Sequence, residues 1–391
     1  MSPGRLRPLR GPAIWIVAAL LTAPGAAAAA PVQGLTDVAP LAHAYDQILD
    51  ADFDQARVTL QQACPPAPAE ACRTLDAVAD WWRISLDPAD RSRDAAFTQA
   101  ADGAIAADRA WTAREPDRAE AWFYLGGAYA TRVQWQVLRG QRLAAARDGN
   151  RIREALEHAV QLDPSLQDAY FGIGLYHYYA AVAPLGARLL RWLLMLPGGN
   201  RAQGLREMQR TRTLGQLLRG EADYQLHFIY LWYQHDTDGA LKLLEALKAR
   251  YPRDPLFPAQ IASVQDLYLH DYAASAATDE ALIAAAGAHA VNFPELAEAG
   301  ARFHLAVQLD ALGRTGDAAR TLQEVIAMRP AAPYSVLARA HLHLGRLYDR
   351  TDQHARAAQQ YRAAIASTPD GDPYHVRNRA RDALAHEPAR R

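Results

Sequence analysis

The sequence predicts an all-α solenoid built from antiparallel helix pairs that stack side by side. Apolar residues recur at helical spacing through most of the 391 residues, and no long segment alternates as a β-strand would. Prolines interrupt the helical pattern at intervals, and three stretches share one 34-residue frame. One helix pair cannot bury its apolar face alone, so we expect the pairs to stack and share a continuous core.

The clearest unit of this frame is 338–371. Positions i, i+3, i+4 and i+7 of its first helix are occupied by His341, Leu344, Gly345 and Tyr348. A second helix follows and ends at Pro369. The absence of a side chain at Gly345 is expected to let the two helices of the pair approach closely.

The same frame fits 221–254 and 299–332, each of which spans 34 residues. These two units start 78 residues apart, which leaves room for one longer, degenerate unit between them. This unit is expected to start near Pro255, and its helices are expected to contain 261–269 and 272–286. Together these units predict a regular array over 221–371.

The preceding part of the chain follows the frame less closely. The first-helix positions are matched by Trp122, Leu125, Gly126 and Tyr129, but the closing Pro164 comes fourteen residues late. This spacing predicts that both helices of the unit are longer by about two turns. The frame restarts at 170–177 and is lost again between 185 and 219.

These patterns divide the chain into five segments. Residues 31–118 are helical by periodicity but lack the motif, so we interpret them as divergent repeats or a cap. Residues 119–220 form a long-helix region with a basic insertion, and 221–371 form the regular array. Residues 372–391 are a C-terminal tail, and 1–30 precede the folded part.

The spacing matches the tetratricopeptide pattern W-x2-L-G-x2-Y…A-x3-F…P, with His341 in the tryptophan position of the last unit. Across 119–371 the chain resembles the tetratricopeptide superfamily. The stretch 170–260, with "GIGLYHYY" and "LLRWLLMLPGGNRAQGL", is similar to uncharacterised exported bacterial repeat proteins. More distantly, it is similar to a eukaryotic outer-membrane tetratricopeptide family linked to clearing protein inclusions. The resemblance implies a right-handed superhelical array with a scaffold or binding role, and it transfers no catalytic residue.

The first thirty residues have the composition of a secretory signal peptide. Three arginines (Arg5, Arg7 and Arg10) precede an apolar segment at 13–23, and an alanine run at 26–30 offers cleavage sites. The apolar segment is shorter than the roughly 20 residues that a membrane span needs, so a retained anchor is the weaker alternative. We therefore predict a periplasmic or secreted protein.

The two cysteines, Cys64 and Cys72, are separated by a proline-rich turn. In an exported protein, an even pair spaced across a turn predicts a disulfide, here between two helices. Two unrelated thiols remain the alternative. A zinc site is disfavoured, because two cysteines lack the further ligands that zinc needs.

The sequence contains no recognisable catalytic motif. It lacks G-x-S-x-G, H-E-x-x-H, a P-loop and a strand-led G-x-G-x-x-G. His341 and His343 are two residues apart, about 200° around a helix, and so cannot share one face as metal ligands. We predict that the protein is not an enzyme and holds no cofactor or metal.

Charge is distributed unevenly along the chain. Residues 37–127 carry 8 arginines against 16 acidic residues, whereas 128–219 carry 13 against 6. The whole chain has a net charge of −1, which argues against a globally basic nucleic-acid binder. The excess of positive charge in 128–219 can steer a negatively charged partner to the protein. Alternatively, it can be neutralised by the acidic residues of 37–127. On the first reading, a protein partner contacts the arginines of the basic stretch: Arg132, Arg139, Arg142 and Arg151.

Two further features lie in the basic stretch. His177 is flanked by tyrosines and is interpreted either as core packing or as a partner contact on the groove. The segment 185–196 contains Arg188, Arg191 and Trp192 among leucines. A basic, apolar helix of this kind can lie on an anionic membrane surface, or it can be a buried helix that closes the groove.

The function predicted from the sequence is that of an exported scaffold. The inner helices of its array are expected to form a concave surface that binds a protein or an extended peptide, and no nucleic acid. The alternative is a peripheral membrane protein that acts through 185–196.

Overall fold

The computed structural model describes residues 34–182 and 198–386. Within these two ranges the chain forms helices and no strand. None of the described helices is both long and apolar enough to span a membrane. The predicted signal peptide, 1–30, lies outside the described residues, so export stays a prediction.

The helices are connected mostly by short turns. They are α1 (Val38–Leu49), α2 (Phe53–Ala63), α3 (Ala69–Leu86), α4 (Asp94–Arg114), α5 (Ala119–Leu138), α6 (Arg142–Leu162), α7 (Ala169–Val182), α8 (Arg201–Leu214), α9 (Arg219–Ile229), α10 (Thr237–Arg250), α11 (Leu256–Leu267), α12 (Tyr272–Gly287), α13 (Pro294–Ala311), α14 (Thr315–Met328), α15 (Val336–Arg350), α16 (His354–Ser367) and α17 (Val376–His386). A π-helical turn, Tyr230–Gln234, extends α9.

Successive helices pack as antiparallel pairs, from pair one (α1–α2) to pair eight (α15–α16), followed by α17. Neighbouring pairs pack against each other, and one apolar core runs from Leu41 to Val264. A second core runs from Ala276 to Ala380. The predicted fold class is confirmed: the described chain is an all-α solenoid of tetratricopeptide-type helix pairs.

The motif glycines lie where the helices of a pair approach most closely. A Cβ atom added to Gly126 would lie 2.6 Å from Leu156 Cδ2, and one added to Gly345 would lie 2.6 Å from the Tyr361 ring. A Cβ at Gly174 would lie 2.7 Å from the carbonyl oxygen of Gly204. The predicted register is therefore correct in pairs three, four and eight.

Helix lengths confirm some of the predicted boundaries and correct others. Pair three is lengthened as predicted, with 20 residues in α5 and 21 in α6. In the degenerate sixth pair, α11 begins at Leu256, next to the expected start near Pro255, and ends at Leu267, two residues before the expected 269. The C-terminal tail also contains an unpredicted helix, α17, which buries Val376 against the second core.

A disulfide joins Cys64 to Cys72, as the sequence predicted. Cys64 directly follows α2, and Cys72 lies in the first turn of α3. The bond therefore ties pair one to pair two across the proline-rich turn.

The first two pairs also contact pairs that lie about 200 residues further along the chain. The Asp50 side chain, in the turn inside pair one, accepts a hydrogen bond from the backbone N–H of Arg253 at 2.8 Å, and its carbonyl accepts one from Asn292. Asp87, at the end of α3, accepts one from the backbone N–H of Tyr334 at 2.7 Å. The first two pairs thus close the array against its later pairs, a feature that no motif in the sequence indicates.

We expect Gly345→Leu to destabilise the fold by about 1–3 kcal/mol, because the new side chain would overpack the contact with Tyr361. Chemical denaturation followed by circular dichroism measures the change. Gly316→Leu is the matched control, since a Cβ at Gly316 meets nothing within 4 Å. Equal stability of the two variants would contradict the observed packing of α15 on α16.

Candidate functional site

The first helices of the middle pairs are covered by the chain's own N-terminal helices. The Glu221 carboxylate of α9 accepts hydrogen bonds from the Tyr45 hydroxyl of α1 and the Trp82 indole of α3, each at 3.2 Å. The Trp82 ring packs against Tyr224 of α9, with ring centroids 4.7 Å apart. Burial raises the pKa of Glu221. This part of the predicted binding surface is therefore protein core.

Beyond the covered region, basic side chains line the first helix of pair eight. Arg339, His343, Arg346 and Arg350 stand at i, i+4, i+7 and i+11 of α15 and so share one face of that helix. Arg379 of α17 is close enough for its charge to act on Arg346. We call these five side chains the basic stripe.

Arg339 lies between two aromatic rings. Its guanidinium carbon is 4.2 Å from the centroid of Phe303, on α13, and 4.1 Å from the centroid of Tyr374. Burial lowers the pKa of this arginine. None of the described residues forms a hydrogen bond or an ion pair with its guanidinium. The two rings hold the planar group in place, and its N–H donors have no hydrogen-bond partner among the described residues.

The neighbouring stripe residues differ in charge. His343 lies edge-on to Phe303, with ring centroids 5.3 Å apart. Burial, followed by the charges of Arg346 and Arg339, lowers the pKa of His343 to about 4, so its imidazole is neutral at neutral pH. Arg346 is exposed and has no ion-pair partner among the described residues. Burial and the nearby charge of Arg379 lower the pKa of Arg346.

Arg350, at the end of the basic stripe on α15, has a carboxylate partner. Arg350 forms an ion pair with Asp310 of α13. Within the described chain, Arg339 and Arg346 thus lack the anionic partner that Arg350 has. An arginine fork suits carboxylate or phosphate oxygens, and such charge-assisted hydrogen bonds are among the stronger ones in proteins. The stripe is therefore suited to binding an anionic group.

Two of the arginines predicted to bind a partner are instead neutralised inside the protein. Arg132 bridges Asp102 of α4 and Asp148 of α6. The Arg139 side chain is only 7% exposed and donates to Asp94 at 2.8 Å and to the carbonyl of Pro88 at 2.7 Å. Their partners come mainly from the acidic N-terminal stretch. Neutralisation, the alternative left open by the sequence, accounts for both residues.

The other two predicted arginines lie apart from each other. Arg142 is exposed at the start of α6. Arg151 pairs with Asp148 at 2.9 Å, and its guanidinium faces the Tyr129 ring at 5.5 Å. Arg151 lines an open groove of about 420 Å³ together with Trp122. The four predicted arginines therefore do not converge on one site.

His177 is a packing residue between the helices of pair four. Its Nδ1 lies 2.7 Å from a carboxylate oxygen of Glu207 on α8, and its side chain is only 18% exposed. This favours the core interpretation over the partner contact. Arg188, Arg191 and Trp192 lie outside the described residues, so their role stays a prediction.

The basic stripe has a signal in the sequence. The residues lie on the first helix of the unit that matches the repeat motif best, 338–371, at positions that the motif leaves open. Basic side chains at i, i+4, i+7 and i+11 predict one charged face. Whether the charges on such a face form ion pairs depends on helices elsewhere in the chain. The sequence does not show which helices lie next to this face.

No protein-family model matches the sequence, and no curated protein matches it. Several solved structures are similar at low identity. Human IFIT1, as a dimer with m7Gppp-AAAA, is 13% identical with a TM-score of 0.45, over 92% of this chain and 88% of that one. Yeast Tom70 is 11% identical with a TM-score of 0.42, over 90% of this chain and 82% of that one.

A third similar structure is that of the APC/C hetero-tetramer Cut9–Hcn1, which is 12% identical with a TM-score of 0.45. The match covers 87% of this chain and 53% of that one, so this chain spans about half the length of its counterpart. All three TM-scores lie below 0.5, and we therefore base fold and function on the chain's own helices and side chains.

Proposed function

We propose that this protein is a non-catalytic scaffold that binds an acidic, extended segment of a partner protein along the basic stripe. The observation that carries the proposal is Arg339, whose guanidinium lies between two aromatic rings and forms no ion pair or hydrogen bond with a described carboxylate. Such pre-organisation lowers the entropic cost of binding. With the predicted signal peptide, the scaffold would act in the periplasm or outside the cell.

The length of the basic stripe fits a short peptide. Arg339 and Arg350 are eleven positions apart on α15, which corresponds to about 16 Å at the helical rise per residue. An extended peptide covers that distance with about five residues. Carboxylates at alternate positions of the peptide could then reach Arg339 and Arg346.

Acidic groups near the stripe favour a peptide over nucleic acid. Asp310 pairs with Arg350, and the charges of Asp372 and Asp87 act on Arg339. A nucleic-acid backbone has a phosphate at every nucleotide and would meet these carboxylates, whereas a peptide can place neutral residues there. The peptide is therefore the better fit to the charge pattern.

Fluorescence anisotropy of a labelled peptide rich in aspartate and glutamate tests this function. We expect Arg339→Gln combined with Arg346→Glu to weaken binding by about tenfold or more, since each lost charge-assisted hydrogen bond costs about 1.5–3 kcal/mol. Binding by the wild type should also weaken as salt rises. Arg362→Glu, on an exposed position of α16, is the matched control and should leave binding unchanged.

Three results would contradict the proposal. One is equal binding of a neutral peptide in which asparagine and glutamine replace the acidic residues. Another is an equal loss of affinity in the Arg362→Glu control. The third is tighter binding of single-stranded polyuridylate than of the acidic peptide, which would assign the stripe to nucleic acid.

A further inference from the structure

The two apolar cores of the protein meet inside pair six, where polar side chains lie between the helices. The buried residues of the first core end on α11, and those of the second begin on α12. Between these helices, the Ser275 hydroxyl donates to the carbonyl of Ala262 at 2.9 Å, and the Thr278 hydroxyl donates to the amide oxygen of Gln265 at 2.8 Å. We call the region where α12 and α13 meet α11 the core junction.

Apolar packing at the core junction is incomplete. A cavity of about 110 Å³ lies between α3 and α11 on one side and α12 and α13 on the other. Its lining is apolar and includes Leu86, Ala259, Leu282, Ala297 and Pro333. Side chains that border a cavity lose van der Waals contacts on that side. Polar contacts therefore contribute a larger share of the attraction between the two cores.

His304 of α13 makes polar contacts across the core junction. Its Nδ1 lies 2.7 Å from a carboxylate oxygen of Asp279, on α12, and its Nε2 lies 3.4 Å from a carboxylate oxygen of Asp266, on α11. The Asp279 side chain is buried. One imidazole ring thus connects a helix of the first core with a second helix pair.

The two carboxylates favour the charged form of this ring. Burial acts to lower the pKa of His304, but the hydrogen bonds and charges of Asp279 and Asp266 raise it above its ordinary value. Burial raises the pKa of Asp279, and His304 opposes that change. A protonated ring offers each carboxylate an N–H donor, whereas a neutral ring leaves one nitrogen lone pair facing a carboxylate.

Charged side chains that connect α13 with α14 and α15 form ion pairs of their own. Arg302 of α13 pairs with Glu298 and with Glu324 of α14, and Arg350 of α15 pairs with Asp310. The other basic groups along α15 belong to the basic stripe. The carboxylates of α11 and α12 described above are therefore the charges that act most strongly on the His304 ring.

We propose that His304 is a proton-dependent latch: its protonated ring holds the two cores together, and loss of the proton loosens the core junction. The neighbouring Gln308 suits both states. Its amide nitrogen lies 3.0 Å from Nε2, as a neutral ring requires, and its amide oxygen is buried without a hydrogen-bond partner among the described residues. Rotation of the amide would bring that oxygen to the Nε2–H of a protonated ring.

The direction of the pH dependence follows from the raised pKa of His304. A histidine of this kind binds its proton more tightly in the folded protein than in the unfolded chain. Its stabilising effect is fully present below the unfolded value, about 6.5, and is lost as pH rises through the folded value. We therefore expect the core junction to open more often at alkaline pH.

Hydrogen exchange of the protein, followed by mass spectrometry, measures this opening. Protection of the α12 and α13 amides, corrected for intrinsic exchange, should fall by about threefold or more between about pH 6 and about pH 8.5. His304→Gln has no proton to lose, so its protection should stay constant over this range. Asp279→Asn removes the buried carboxylate and should also reduce the change, which provides a second variant if the first does not fold by circular dichroism.

His354→Gln is the matched control. His354 also lies beside a carboxylate, 3.2 Å from Asp349, but both residues belong to pair eight and do not cross the core junction. This variant should keep the pH dependence of the wild type. Burial raises the pKa of Asp108 to about 7 and that of Asp254 to about 8. Both carboxyl groups are present in every variant, so the difference between wild type and His304→Gln isolates the latch.

The proposal is overturned if protection of α12 and α13 in the wild type does not change with pH. It is also overturned if His304→Gln keeps the pH dependence of the wild type. An equal fall of protection in every helix would likewise refute it, since the whole fold and not the core junction would then respond to pH.

Discussion

Trp82→Ala should lower the free energy of unfolding by about 3–5 kcal/mol, because it removes a large buried side chain from the core. The Trp82 side chain, on α3, is 1% exposed. It packs against Tyr224 and Phe257, on the first helices of pairs five and six, at centroid distances of 4.7 and 6.3 Å. The substitution thus leaves a cavity where the N-terminal helices meet the middle of the array.

The same substitution removes one of the hydrogen-bond donors to the buried Glu221 carboxylate. Losing a partner in a buried position adds to the cost of the cavity. Urea unfolding measures the effect, and Trp232→Ala is the control, since that tryptophan is 52% exposed and its loss should cost less than about 1 kcal/mol. Similar losses in the two variants would contradict the assignment of α3 to the core.

Asp168→Ala is expected to destabilise the protein by about 3–5 kcal/mol, because it leaves several backbone donors without an acceptor. The Asp168 carboxylate, just before α7, accepts hydrogen bonds from three successive backbone N–H groups: those of Gln216, Leu217 and Leu218, at 2.8, 3.0 and 2.8 Å. It therefore fixes the start of α9 against pair four. The side chain is buried, so water does not readily replace it.

Two comparison variants make this prediction quantitative. Asp236→Ala removes a helix cap that accepts from a single N–H, that of Gly239, and should cost about 1 kcal/mol. Asp168→Asn keeps one acceptor oxygen and should fall between the two alanine variants. An Asp168→Ala variant no less stable than Asp236→Ala would show that the three hydrogen bonds contribute little.

The repeat architecture could be predicted from the sequence because the residues that determine it lie close together within each repeat. Gly126 and Gly345 stand at fixed positions within a 34-residue frame, and each meets a residue of its own helix pair. The disulfide was likewise predicted from spacing within one turn. Helix ends were less accurate, as in α11, which ends at Leu267 and not at the expected 269.

Which of the predicted site residues are available to a partner depends on long-range pairing, which the sequence does not show. Arg139 lies in the most basic stretch of the chain, yet its ion-pair partner Asp94 lies 45 residues earlier. Arg339 belongs to a segment of balanced charge and has no such partner among the described residues. The net charge of a sequence segment gives the number of charged side chains in it. It does not show which of them form ion pairs in the folded protein.

The closure of the first two pairs on the later ones also fixes how many pairs this protein can have. An open solenoid, in which each unit touches only its neighbours, can gain or lose a unit at little cost. Here an extra pair inserted before α11 would move Arg253 or Asn292 away from Asp50, and would separate Tyr334 from Asp87. The contacts that close the array therefore form only with the present number of pairs. Duplication of a repeat, the usual way such proteins evolve, would break the closure rather than extend the protein.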